Sequence, residues 1–487
     1  MKMSRALLAF VAATGLTRSI TVPANAAPWT RGFVVSELGY AFRYGGRTDF
    51  KRGAEVEPGV DCPHGSSTHF ATPDKIRTAL ARQAWRSQQE IDRIIAPPEL
   101  DQAGNPGGAR HQICERAIAY RGYNRGIETY VNPWAAEDTG QPEVTSRIGD
   151  GFDLDGKIGP HDFVGADGEK GIDNALYRAW GCDAPWRGDG NSVFNLRINE
   201  ALRSGLYTIV IRISGNQDPV NDSDATVEIG YSPDKIVKDA RNSIAADYSY
   251  RILKSTQYTK LKATVKNGVV QTEQVEHLHM PRIAWFDRQK GDADFINGRM
   301  RLNIDPDDLG TRGMIGGYRS WRDIYAENSF KAYGGRADTT WHEDHVALYY
   351  ALRRNADGIY NEKTGQYDGI STVYRPRMSP VFVVDPDISI DLPMSADEQR
   401  RVNAFEAVRT NFIKSVEART PQDVPPGNGE AQYPLFERAT KDLPSRDYFL
   451  KTLDRPHYPY GVGTDEFNNP IDDEGNCIDR TVACASR

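Results

Sequence analysis

Past residue 26 the 487-residue sequence holds no apolar run approaching the ~20 residues that span a bilayer, which excludes a transmembrane helix from that part of the chain. Its five cysteines never fall in the pattern of two cysteines followed by histidine, so covalently attached haem is excluded. No phosphate-cradling glycine loop, dinucleotide fingerprint or Gly-x-Ser-x-Gly elbow is present, which removes nucleotide cofactors and the common serine-hydrolase signature. Positive charge is in deficit, with 60 Lys and Arg against 67 Asp and Glu and a net charge of −7. A chain of that sign repels nucleic acid and anionic lipid. The apolar fraction is 39%, below the ~45–50% of an average soluble protein. Repeats, heptads and low-complexity tracts are absent as well.

What is present begins with an export signal. Lys2 and Arg5 precede the apolar stretch Ala6 to Leu16, and Ala24-Asn25-Ala26 supplies the small residues that signal peptidase accepts. Cleavage is expected after Ala26, releasing a periplasmic or secreted protein. The cut also removes Lys2, Arg5 and Arg18 and no acid, so the mature chain is more acidic still. Export implies oxidising conditions, and hence disulfides. Cys477 and Cys484 bracket a short turn and are expected to pair, as are Cys62 and Cys182, which leaves Cys114 over.

The pattern divides the chain into the signal (1–26), a helical and irregular N-terminal region (27–148), a β-rich core with Asp-rich loops (149–392), and a C-terminal helix, Pro/Gly linker and tail (393–487). Alternating residues predict strands over Phe33–Phe42, Leu206–Ile213, Thr226–Tyr231, Leu261–Val265, Val269–Val275, Arg282–Phe286, Arg299–Ile304 and within Pro380–Ile390. Asn267-Gly268 suits a two-residue hairpin turn. Helical spacing predicts helices over 72–96, Ile315–Phe330, Trp341–Asn355 and Ser395 to about Glu417. The fold expected from these elements is mostly β with added α: a central antiparallel β-sandwich, jelly-roll or lectin-like, decorated by helices and long loops.

The most specific local signal is the run from Asp150 to Asp162. Asp153, Asp155, Gly156, Ile158 and Asp162 follow a calcium-loop spacing, whereas Gly151 stands where the pattern needs Asp and Asp150 is one step out of register. That departure argues against a standard EF-hand. Asp173 and Asn174 lie nearby, and Asp218, Asp222 and Asp224 connect two predicted strands, so the two loops are expected to share a Ca2+ ion at one end of the sandwich. His342 and His345 are three apart rather than the four of the zinc-protease motif. His277 and His279 share a strand face beside Met280, without a third ligand in view.

Together these features predict an exported, soluble, non-catalytic protein stabilised by calcium and binding a glycan or an envelope protein. Two alternatives stand beside it. One is a secreted glycan hydrolase using two carboxylates, which leaves no sequence motif. The other is an accessory of a periplasmic redox or metal system.

Overall fold

In the segment Thr259–Lys266, Leu261, Ala263 and Val265 are buried while Lys260, Lys262 and Lys266 face water. This period of two generates a sheet with one apolar face. The computed structural model describes chiefly residues 28–45, 141–183, 208–283 (apart from 242, 247 and 255–257), 290–304, 312–326 and 345–385, with short pieces elsewhere. The signal segment, the predicted helix over 72–96 (save residues 88 and 89), Cys114, His342, and the tail with Cys477 and Cys484 lie outside the described residues, as does most of the helix expected from Ser395.

Of the eleven strands in the main sheet among the described residues, nine build the ring and its flank: β1 (Trp29–Tyr40), β2 (Thr208–Gly215), β3 (Asn221–Ser232), β4 (Thr259–Lys266), β5 (Val269–Thr272), β6 (Val275–Ile283), β7 (Lys290–Asn303), β8 (Gly313–Ser320) and β9 (Gln366–Val384). Their order is β1-β2-β3-β4-β5-β7-β8-β9, and β9 pairs back onto β1. β6 follows β5 along the same partner, β7. Every pairing in the ring is antiparallel.

The molecule is therefore a closed eight-stranded antiparallel barrel, and the expected jelly-roll or lectin-like sandwich is wrong. The closing strand is β1, whose Gly32 lies between Arg212 of β2 and Val381 of β9. A sandwich would leave both neighbours with free edges. Closure leaves none in the ring.

The interior is a packed core. Phe33, Ile211, Ile229, Leu261, Phe295 and Leu302 are all buried in one cluster. At the turn between β4 and β5, Asn267 and Gly268 have φ of 53° and 74°, as the Asn-Gly signal requires.

The helix expected over Ile315–Phe330 begins late. Its first part is β8, and only residues 321–326 are helical within the described stretch. Two adjacent glycines explain the difference. A Cβ on Gly316 would stand 3.0 Å from the Thr372 carbonyl oxygen and 3.1 Å from the Phe152 ring, and one on Gly317 would stand 2.9 Å from the Ile296 oxygen. These positions admit a bare backbone wedged between neighbouring strands, and glycine also weakens a helix. Gly316→Val should cost about 1–3 kcal/mol in urea denaturation, the usual penalty for overpacking.

Two insertions interrupt the barrel. The larger, residues 41–207, carries the short helix α1 (Ala175–Trp180). The smaller, between β8 and β9, carries α2 (His345–Asn355), which packs against α1. The Cys62–Cys182 disulfide forms as expected and joins the two sides of the larger insertion. Trp180 of α1 is buried core and meets Tyr40 at 6.1 Å.

Candidate metal centre

The acidic loop is pinned to the outside of the barrel by its apolar residues. Phe152 and Leu154 are buried against Ala41, Tyr318 and Val373. Arg299 and Arg301 lie over the Phe152 ring at 5.5 and 5.4 Å. The loop closes on itself at a neck. Asp173 N–H donates to the Phe152 carbonyl at 2.8 Å, and Leu154 N–H donates to Asp173 Oδ2 at 2.7 Å. Gly171, at φ 73°, lets the returning arm pass the Lys157 carbonyl, where a Cβ would stand 2.5 Å away.

This neck brings Asp153, Asp155 and Asp173 together. One carboxylate oxygen from each lies within 4.8 Å of the others. Among the described residues it is the one group of three His, Cys, Asp or Glu side chains that converges so closely. Asp153 also accepts from Gly156 N–H at 2.7 Å, and Asp155 from Lys157 N–H at 2.8 Å, so loop amides hold both carboxylates in place.

Behind the cluster stands Asp357, at the end of α2. Ser371 donates to it through both its backbone N–H at 2.8 Å and its hydroxyl at 2.6 Å. The same hydroxyl accepts from Ala175 N–H at 2.7 Å, which ties the start of α1 to this group.

The electrostatics are those of acids crowded away from water. Burial pushes the Asp173 carboxyl up to about 8, opposed by the Leu154 amide and reinforced by Asp357, Asp162 and Asp155. Burial likewise raises Asp357 to about 7, against the two Ser371 hydrogen bonds and with Asp162 adding to the rise. Tyr318, in the same surroundings, is also raised, by burial first and then by Asp173 and Asp357. A cation among the carboxylates would oppose each of these rises. Beside the neck, the Asn174 side-chain oxygen is buried without a hydrogen-bond partner, while its amide nitrogen donates to the Ala41 and Asp150 carbonyls at 3.2 and 2.8 Å. Hard oxygen donors of this kind suit Ca2+.

No family model, curated protein or solved structure matches the chain, so the reading of this site rests on its geometry.

The remaining acidic residues of the loop fall elsewhere. Asp150 turns to Arg43, at 3.3 Å, and to Arg375. Its displacement by one step in the sequence pattern corresponds to a different role. Asp162 accepts from Gly159 N–H and acts on the cluster through its charge. The second loop does not join the first. Asp222 accepts from Trp29 Nε1, Gln217 N–H and Asp224 N–H, each at 2.8 Å, and Asp218 accepts from Val220 N–H at 2.6 Å. These carboxylates cap the β2–β3 turn.

His277 and His279 do share a face, with ring centroids 6.5 Å apart, and Asp294 approaches both at 3.1 and 3.6 Å. The three do not close on a single point within the separation that the aspartate cluster achieves. Asp357 was missed from sequence because it stands almost two hundred residues from Asp173. The Asp-Gly step ending a helical pattern was its only trace.

A pH dependence follows for the metal-free protein. Carboxyls whose pKa rises on folding hold more protons in the folded than in the unfolded state between about pH 4 and 8. Stability should therefore fall as pH rises through that window. In EDTA the melting temperature should be several degrees lower at pH 8 than at pH 5, a difference that saturating calcium removes.

Proposed function

We propose that this is an exported, non-catalytic, calcium-stabilised barrel protein of the periplasm or exterior that binds a glycan or an envelope partner. The observation that carries the reading is the convergence of Asp153, Asp155 and Asp173 on the loop that covers the outer wall. Three carboxylates so close repel one another, a repulsion that a cation among them would relieve more completely than the proton held by Asp173.

Four other features support the setting. The N-terminal segment reads as an export signal, and the buried Cys62–Cys182 bond suits an oxidising compartment. Among the described residues no helix is long and apolar enough to cross a membrane. The outward lysines of β4 suit water better than lipid. Extracellular calcium is abundant enough for an ion of modest affinity to stay bound, with the barrel as rigid frame and the loops as the variable surface.

The test is a melt of the full mature chain after EDTA treatment. Calcium at about 100 times its dissociation constant adds about 2.7 kcal/mol, which should raise the melting temperature by about 3 °C, whereas magnesium should do much less. A protein that carries no metal by elemental analysis and melts identically with calcium and EDTA would sink the reading.

A further inference from the structure

A cleft of about 690 Å³ lies between the outer wall of β7, β8 and β9 and the disulfide-tied insertion. That volume is typical of a small-molecule site. We infer that this cleft is a binding site for a small organic oxyanion, a carboxylate or phosphate carried on a compact sugar-sized body.

The first argument is charge. Four arginines line the cleft, Arg43, Arg301, Arg312 and Arg375, against two aspartates, Asp61 and Asp150. Both aspartates are engaged. Asp61 is buried and accepts from Gly45 N–H at 3.2 Å. Asp150 is shared between Arg43 and Arg375. The shared carboxylate fixes both guanidiniums at the cleft. Arg301 is paired with Glu169 at 3.0 Å. Arg312 is exposed, and its side chain has no ion pair or hydrogen bond among the described residues. A positive excess thus persists inside a chain whose net charge is −7. Concentrating cations in one cleft against the overall sign costs self-repulsion that an anion relieves.

The second argument is the rim. Val60, Ile148 and Val269, which line the same cleft, are among the large apolar side chains most exposed to solvent, at 83%, 49% and 37%. The backing is partly aromatic, through Tyr44 and Tyr177. A basic floor with an apolar rim fits a ligand with a charged group at one end and a ring or hydrocarbon face at the other, and fits a free inorganic ion less well.

The inference rests on reading the protein as a binder, but none of the four arginines belongs to the aspartate cluster, so a failed calcium test leaves it standing. Calorimetric titration of the full mature chain should use trigalacturonate, glucose 6-phosphate and, as neutral control, maltotriose. At least one of the two anions should bind, more weakly as salt rises, and whichever binds tighter tells whether carboxylate or phosphate is read. Arg312→Ala, at an exposed position that folding does not require, should weaken that binding at least tenfold. Lys262→Ala, on β4 and outside the cleft lining, should leave it unchanged. The idea is overturned if neither anion binds, if maltotriose binds as well, or if Arg312→Ala binds like the unaltered protein.

Discussion

Replacing Cys62 and Cys182 together with alanine should lower stability by about 4 kcal/mol, with the loss read from urea denaturation of the oxidised parent and the variant. The two cysteines are separated by 120 residues, and linking points so distant removes a large share of the freedom of the unfolded chain. Both are buried beside the insertion's packed segments, where Thr145 N–H donates to the Asp61 carbonyl at 2.9 Å. Cutting the tie leaves the barrel's own pairings intact. Its effect should fall on the insertion, so the variant should also lose the calcium-induced rise in melting temperature as the loop neck slackens. A loss below about 1 kcal/mol would mean that packing alone holds the insertion, and that the unfolded chain is already compact there.

Asp173→Asn should act in opposite directions with and without the ion. Asparagine can still accept the Leu154 N–H, so the neck remains closed. In EDTA at pH 8 the variant should be more stable than the parent by about 2 kcal/mol, because it carries no carboxyl that must be held against burial and its acidic neighbours. Below pH 5, where the parent's carboxyl is protonated when folded, the gain should vanish. In saturating calcium the order should reverse, since the variant loses a charged ligand and binds the ion at least tenfold more weakly. Equal stability of the two proteins in EDTA across pH 5 to 8 would show that Asp173 is not the strained member of the cluster.

Much of the local structure was legible from sequence. The strands expected at 226–231 and 261–265, the described part of the one expected at 206–213 (from Thr208) and the Asn267-Gly268 turn all appear, because alternation and turn chemistry act over a few residues. Barrel closure was not legible. A sandwich and a barrel share the same alternation, and the difference lies in whether Phe33 and its neighbours meet a partner more than three hundred residues away. Gly316 and Gly317 misled for a related reason: the aromatic spacing of Tyr318, Trp321 and Tyr325 is helical, but the space available at the glycines is set by β7 and β9. At the metal centre, Asp153 and Asp155 stood out by spacing and Asp173 by proximity. Asp150 was counted with the acidic loop although it stood one step out of that spacing, and two arginines remote in sequence claim it.

The place of β1 in the ring sets an order of events in time. It is made first, yet its two partners are β2, after an insertion of more than 160 residues, and β9, near residue 380. Until both have been synthesised, the segment Phe33-Val34-Val35 has no sheet to join. Closing such distant pairs is slow, and an unpaired apolar strand invites association with other chains. Biogenesis should therefore be the vulnerable stage in this protein's life: a chain truncated before residue 366 should accumulate as aggregate, whereas the closed barrel, once formed, offers no free edge in its ring.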